Sequence, residues 1–372
     1  MGDTTYRLYI FIVIGLWIVY LGKIFHRLSI SIRFQGSREW IIALWGRRQK
    51  CRVLWVTDIE LARQVLQHSV NKGNFIEEKI ATPAWAPVLS LESINGTQWQ
   101  ALRAHFFVLQ KHLPSPQALH LITQNLLFTL DPTVDLDARA MVRLTVQSFV
   151  KWLFQEDWRS EWDFICEASW EWRKEIAMKG KANRKLKEKT IAWLIERIQG
   201  SSYASLFGEK WAEPEYYSIF MQPFILSPMI NFGDIAVSMA QFPTLPLEAL
   251  IHMRHPFPVL ERYIESDVVF SNQKGEAISI PGNTQVFIPL DQMGKQIPYE
   301  KDLWTPFGAG PRKCMGSHYA LAFFSAFTPY AKAHPRFVPE KNHRYSGRNN
   351  DSLSLRESIY QCTVLWKILR QA

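Results

Sequence analysis

Cysteine is scarce in this chain: four residues in 372, at Cys51, Cys166, Cys314 and Cys362. They form no Cys-x-x-Cys pair, which excludes a zinc module and a disulfide-stapled secreted scaffold, and all four read as reduced thiols. Charge is low at 21% of residues, so a disordered chain is excluded as well. Internal repeats are lacking. The net charge of +9 is accompanied by no zinc-finger, RNP-type or basic-zipper pattern, so nucleic acid is not expected as a partner. The chain is instead rich in rings. With 15 Trp, 23 Phe and 47% hydrophobic residues, it must bury a large core or line an apolar cavity.

The N-terminus reads as a membrane anchor. From Leu8 to Gly22 the run LYIFIVIGLWIVYLG carries no charge, and Arg7 and Lys23 bracket it. It is short for a span, but flanking Arg and Lys side chains snorkel and a bilayer thins to meet a short helix. The following KIFHRLSIS lacks the small residues of a cleavage site, so the segment is read as uncleaved. Lys23, Arg27, Arg33 and Arg38 follow the run while Arg7 precedes it, which places the rest of the chain on the cytosolic side. Residues 1–27 are therefore assigned to anchor and basic flank, and 28–372 to one further domain.

Beyond the anchor the pattern is mainly helical. Residues 58–70, 96–110 and 137–154 each repeat apolar positions near a period of 3.6. Strand signals come late: AISI and TQVFI flank Pro281-Gly282-Asn283, and this turn chemistry predicts a hairpin between them. Residues 173–189 hold eight Lys or Arg against two Glu and read as a solvated helix or loop.

The most specific stretch is FGAGPRKCMG, residues 307–316, followed by the helix-like run SHYALAFFSAFTPYAKA. Its glycines allow turn conformations and close backbone approach to a flat ligand. Cys314 stands at a predicted helix N-terminus beside Arg312 and Lys313, where positive potential lowers a thiol pKa. A single thiolate without a second Cys or His at zinc spacing cannot build a zinc site, but it suffices as the lone protein ligand of a haem iron. Arg312 would then answer a haem carboxylate. Trp99 and Arg103, four apart in GTQWQALRAHF, project from one helix face and suit one carboxylate together.

The pattern Phe307-x-x-Gly310-x-Arg312-x-Cys314-x-Gly316, extended by Ala320, resembles the signature of the cytochrome P-450 family, the haem-thiolate monooxygenases. Chance would supply those fixed positions in about one in 10^4 chains of this length. Trp99 and Arg103 are similar to that family's propionate-binding pair. The segment HPFPVLER resembles its proline-rich turn, with Arg262 on the other propionate, and residues 278–291 resemble the hairpin that follows. The resemblance implies a mainly α fold with small β-sheets, an α+β class abbreviated relative to the family, behind a transmembrane anchor. It also implies haem b ligated by Cys314, and insertion of one oxygen atom from O2 into an apolar small molecule. A flavin reductase using NADPH would dock on the basic face near Arg312 and Lys313, and the protein would sit in the endoplasmic reticulum membrane, single-pass, its catalytic domain facing the cytosol.

Departures from the family pattern are equally specific. There is no Glu-x-x-Arg before the proline turn; LEALIHMRHPFP offers Glu248 and His252, spaced to form a substitute pair. For the acid that delivers protons in the long central helix, MINFGDIAVSM offers Asp234, with Ser238 the nearest hydroxyl. The middle of the chain is compressed, and Pro298-Tyr299-Glu300-Lys301 is the candidate remnant of an acidic-arginine motif. These departures keep two other readings open: a non-catalytic haem-binding or degenerate membrane protein, and an isomerase or dehydratase on the same scaffold.

Overall fold

The computed structural model describes Gly46 and residues 49–333 apart from 74, 131–137, 177–180, 258 and 301–305. The predicted anchor, Cys362 and Lys301 lie outside the described residues. Among the described residues no helix is long and apolar enough to cross a membrane.

The three helices expected from periodicity form with small shifts. Helix α1 spans Ile59–His68, its N-terminus capped by the Asp58 carboxylate, which accepts from the Leu61 N–H at 2.9 Å. Helix α2 is Gly96–Gln110. Helix α3 is Pro116–Phe128, capped by Ser115 with Pro116 at its first position, where a missing N–H costs nothing. Helices α4 (Ala138–Phe154), α5 (Asp163–Ile176) and α6 (Arg184–Gln199) follow. The basic run 173–189 is thus the end of α5 and the start of α6, and one of its lysines is not solvated. Lys187 is 2% exposed, and its Nζ donates to the Ala84 and Ala86 carbonyls and pairs with Glu175 beneath the Trp172 ring.

A long rod comes next: α7 (Pro214–Phe220), a π-helical segment (Met221–Leu226) and α8 (Ser227–Gln241) run on without a break. Pro223 and Pro228 have no N–H to give the ordinary i→i−4 ladder, and the wider π turn absorbs that loss. Helices α9 (Leu247–Met253), α10 (Leu290–Gln296) and α11 (Ser317–Ala333) follow, and short helical turns at Thr82–Trp85 and Ala204–Phe207 lie between the longer helices. Helix α11 lies along α3, while α4 packs on α8. Their shared core is aromatic. Phe224 of the π segment faces Phe106, Phe149, Trp152, Phe220 and Tyr319 at centroid distances of 5.4–6.3 Å, and Phe232 meets Phe323 and Phe324 at 4.9 and 4.7 Å.

The strands form two small sheets. β1 (Arg52–Trp55) runs parallel to β5 (Thr284–Ile288), and β2 (Leu260–Ile264) runs antiparallel to β5 on its other side, with Arg262 opposite Val286. Strand β5 is buried along its whole length, as a central strand should be. β3 (Val268–Ser271) and β4 (Ala277–Ile280) form the second sheet. This corrects the expected hairpin: AISI and TQVFI are strands, but they belong to different sheets. The tight turn lies one step earlier, where Gly275 adopts φ 76° and its N–H donates to the Asn272 carbonyl. Pro281-Gly282-Asn283 is the crossover between sheets, and a Cβ on Gly282 would sit 2.7 Å from the Glu265 carbonyl oxygen. A sequence window sees turn residues but not which strand each run will pair with.

Phe224 has ring partners on four helical elements, so Phe224→Ala should destabilise the protein by about 3–5 kcal/mol, read from denaturant unfolding.

Candidate functional site

The Cys loop is set between α1 and α11. Gly308 and Gly310 adopt φ 78° and 65°, conformations that L side chains resist, and a Cβ on Gly310 would meet the Leu66 carbonyl oxygen at 2.5 Å. The loop closes on itself where the Cys314 N–H donates to the Phe307 carbonyl at 2.9 Å, and the Ala320 N–H donates to the Gly316 carbonyl as α11 begins. The expected loop-then-helix arrangement is therefore what the chain forms. Gly316 faces open space: a Cβ there would meet nothing within 4 Å.

Cys314 is a free thiol with an exposed face, as Cys51 and Cys166 are also free. Protein nonetheless packs densely around it, which pushes the thiol up to about 12, with the Glu92 charge adding to the rise and the N–H groups of Gly316 and Ser317 and the Lys313 charge opposing it. This corrects the expected low thiol pKa: desolvation outweighs the neighbouring cations until a positive ion compensates the thiolate.

Four of the predicted binding residues meet beside the loop. The Arg312 guanidinium lies 3.9 Å from the Trp99 ring centroid, and that of Arg103 lies 5.1 Å from it. Arg262, 2% exposed on β2, completes the group: its charge and that of Arg103 both act on Arg312, which burial and these neighbours lower to about 9. Burial lowers Arg262 itself to about 10, with Glu77 and Glu261 counteracting.

The roles within this group differ from those expected. Arg312 spends four of its five N–H donors on the carbonyls of Val70, Leu91 and Ile94 and on Asn95 Oδ1 at 2.8–3.2 Å. It clamps the Cys loop to the segment before α2, which leaves at most one Nη1 hydrogen for a carboxylate; Lys313 is the exposed cation there. The buried Nε atoms of Arg103 and Arg262 have no hydrogen-bond partner. Two unpartnered guanidinium nitrogens, crowded cations, an accessible thiol and the clear space before Gly316 fit a flat group bearing two carboxylates and a metal, as haem does. Among the described residues no cluster of three His, Cys, Asp or Glu suits a metal.

Asp234 is engaged by helix α5. Its carboxylate lies 3.4 Å from Arg173 of α5, and its carbonyl accepts from the Ser238 hydroxyl at 2.9 Å. Glu248 and His252 do not pair as expected either. His252 is 3% exposed, and its Nε2 lies 2.9 Å from the Ile297 carbonyl, with the Tyr299 ring 5.7 Å away. Helix α9 packs so closely on α10 that a Cβ on Gly294 would sit 1.9 Å from the His252 oxygen, and this proximity favours the carbonyl over the carboxylate one turn back.

Several site residues carry no sequence signal. Glu261, fully buried on β2, accepts from the Phe75 and Glu77 N–H groups at 3.1 and 3.0 Å, and Lys72 pairs with Glu77 at 3.1 Å. A Cβ on Gly73 would lie 1.7 Å from the Glu261 carboxyl carbon, so the glycine makes room for that acid. Glu92 is raised to about 7, chiefly by burial, with Lys72 lowering it, Glu77 raising it and a Gln222 hydrogen bond lowering it. Isolated acids in SLESIN and LERYI have no periodicity to flag them; only the fold gathers them around the arginines.

No family model matches this chain, and no curated protein matches it by sequence. Solved structures do match. A six-coordinated cytochrome P450 from Thermus thermophilus aligns with 79% of this chain and 89% of its own at 12% identity and a TM-score of 0.52. A variant of cytochrome P450 OleT in complex with arachidonic acid aligns with 74% of this chain and 79% of its own at 13% identity and 0.52. A zebrafish cytochrome P450 with progesterone aligns with 78% and 87% at 13% identity and 0.51. The fold of this chain is the cytochrome P450 fold, in a divergent form.

If haem occupies this site, Arg103→Gln should weaken its retention roughly tenfold, read as the haem-to-protein ratio after gel filtration, because it removes a buried charged donor whose Nε has no partner. Glu92 gives a pH signature in the haem-free protein. Its folded pKa of about 7 exceeds the ordinary 4.5, so its burial is tolerated fully below 4.5 and becomes unfavourable as pH rises through 7. Glu92→Gln should therefore gain stability over the wild type across that window, measured by urea unfolding at several pH values; parallel profiles would refute it.

Proposed function

We propose that this protein is a haem-thiolate monooxygenase that inserts one oxygen atom from O2 into an apolar small molecule. The observation that carries this reading is that Arg312, two residues from the exposed Cys314, lies over Trp99 beside Arg103 and within reach of the Arg262 charge, while the buried Nε atoms of Arg103 and Arg262 lack a partner. In this reading Cys314 Sγ holds the haem iron, and Arg103 and Arg262 hold the two propionates. Bound there, the haem supplies the redox chemistry of oxygen activation. The protein's own groups then have separate tasks. Arg312 fixes the loop through three backbone carbonyls and Asn95. The positive-φ glycines keep the loop's backbone in the turn that presents the thiol.

The aromatic core favours an apolar substrate, and the matched structures holding arachidonic acid and progesterone are consistent with lipid-like or steroid-like molecules. Electrons would come from a flavin reductase using NADPH, approaching Lys313 without Arg312. The apolar run 8–22 supports an anchor in the endoplasmic reticulum membrane with the haem domain facing the cytosol. Asp234 is retained as the candidate acid that delivers protons.

A second reading rests on that same pair. With the Asp234 carboxylate engaged by Arg173 and Ser238 turned to a backbone carbonyl, the chain suits a haem protein that needs no proton delivery: an isomerase, a dehydratase or a non-catalytic haem binder.

The full-length protein, loaded with haem, reduced and exposed to carbon monoxide, should show the red-shifted Soret band of thiolate ligation, and Cys314→Ser should lose it. Consumption of NADPH with reductase and a long-chain fatty acid or steroid above background supports the monooxygenase; the band without that consumption selects the second reading.

A further inference from the structure

The loop that presents Cys314 has two shoulders. Arg312 secures one of them. The other is Pro306, whose carbonyl lies 2.8 Å from Nε2 of His255. His255 is 7% exposed and belongs to the HPFP turn between α9 and β2. A carbonyl oxygen has lone pairs and no proton, so the Pro306 contact needs the Nε2–H tautomer, and the Phe257 N–H that donates to Nδ1 favours it over the form in which Nδ1 gives its proton to the Phe257 carbonyl. On the other side of the ring, Nδ1 lies 3.0 Å from the Phe257 N–H, which donates to it, and 2.9 Å from the Phe257 carbonyl. The imidazole is thus pinned by its own turn and points its remaining donor at the Cys loop.

Three short links follow in order. His255 holds Pro306, Phe307 is next in the chain, and the Phe307 carbonyl accepts from the Cys314 N–H. The same turn leads directly into β2, which carries Arg262. One side chain therefore ties the strand bearing a candidate propionate ligand to the loop bearing the candidate iron ligand.

We propose that His255 is a positioning residue that sets the Cys314 loop relative to Arg262 through its Nε2–H bond to Pro306. Its purpose rests on the haem-thiolate reading above. The geometry it imposes does not.

The test uses two variants of the full chain. A glutamine amide reaches the place of Nε2 and keeps a donor for Pro306; an asparagine amide reaches only the place of Nδ1. In haem-free protein, hydrogen exchange across 306–316 should speed roughly tenfold in His255→Asn and stay near wild type in His255→Gln, with exchange in α4 and α8 unchanged in both. In haem-loaded protein, His255→Asn should lose much of the thiolate-type band with carbon monoxide, and His255→Gln should keep it. Wild-type exchange in His255→Asn, or equal acceleration in both variants, overturns the proposal. Should both fail to fold, nitrogen-labelled histidine in the wild-type protein decides: a protected proton on Nε2 of His255 supports it, and a ring protonated only at Nδ1 overturns it. Absence of the thiolate band in wild type would instead refute the haem reading, leaving the exchange result to stand alone.

Discussion

Arg103, Arg262 and Arg312 bring three positive charges into a low-dielectric interior, close enough that each of the first two lowers the proton affinity of the third. Such crowding is costly unless anions or carbonyl dipoles surround it. The protein meets the need only in part. Backbone carbonyls take up Arg312, and Glu77 and Glu261 stand near Arg262, yet one nitrogen each of Arg103 and Arg262 remains without a partner. Most of the site can be understood from that residual demand for negative charge, and a ligand with two carboxylates would meet it.

The demand explains why the segment between α1 and α2 has the form it has. Lys72 pairs with Glu77, Glu261 takes the N–H groups of Phe75 and Glu77, and Asn95 accepts from both the Lys72 N–H and Arg312. These bonds hold the segment, which includes a π-helical turn (Ile76–Ala81) and a short helix (Thr82–Trp85), against the arginines, and its non-helical ends present the Val70, Leu91 and Ile94 carbonyls inward. The aromatic bundle of α4, the π segment, α8 and α11 supplies the rigid backing, and Tyr319 at the start of α11 carries that rigidity toward Cys314 through its contact with Trp152 at 4.9 Å.

Much of this was legible in the sequence because it depends on local pattern. The loop-helix boundary at Cys314, the i,i+4 pair Trp99–Arg103 and the three periodic helices are each set by neighbours a few residues apart. The parts that were not legible depend on partners far along the chain. Arg312 reads as a free cation beside a thiol, but its acceptors lie more than 200 positions away, and they decide that it clamps rather than binds. The run AISI-PGN-TQVFI reads as a hairpin because turn chemistry is local, whereas the choice of strand partner is not. Glu248 and His252 have the spacing of a pair, but α10 presents the Ile297 carbonyl nearer to hand. A thiol beside two cations suggests easy ionisation until the protein around it is known to be dense.

The fit of Gly73 against Glu261 couples two distant positions. Because a β-carbon at 73 would collide with the carboxyl group, alanine there would force the Glu261 side chain to shift and loosen its bonds to the amides of Phe75 and Glu77. The glycine and the acid are thus physically coupled although they stand 188 residues apart.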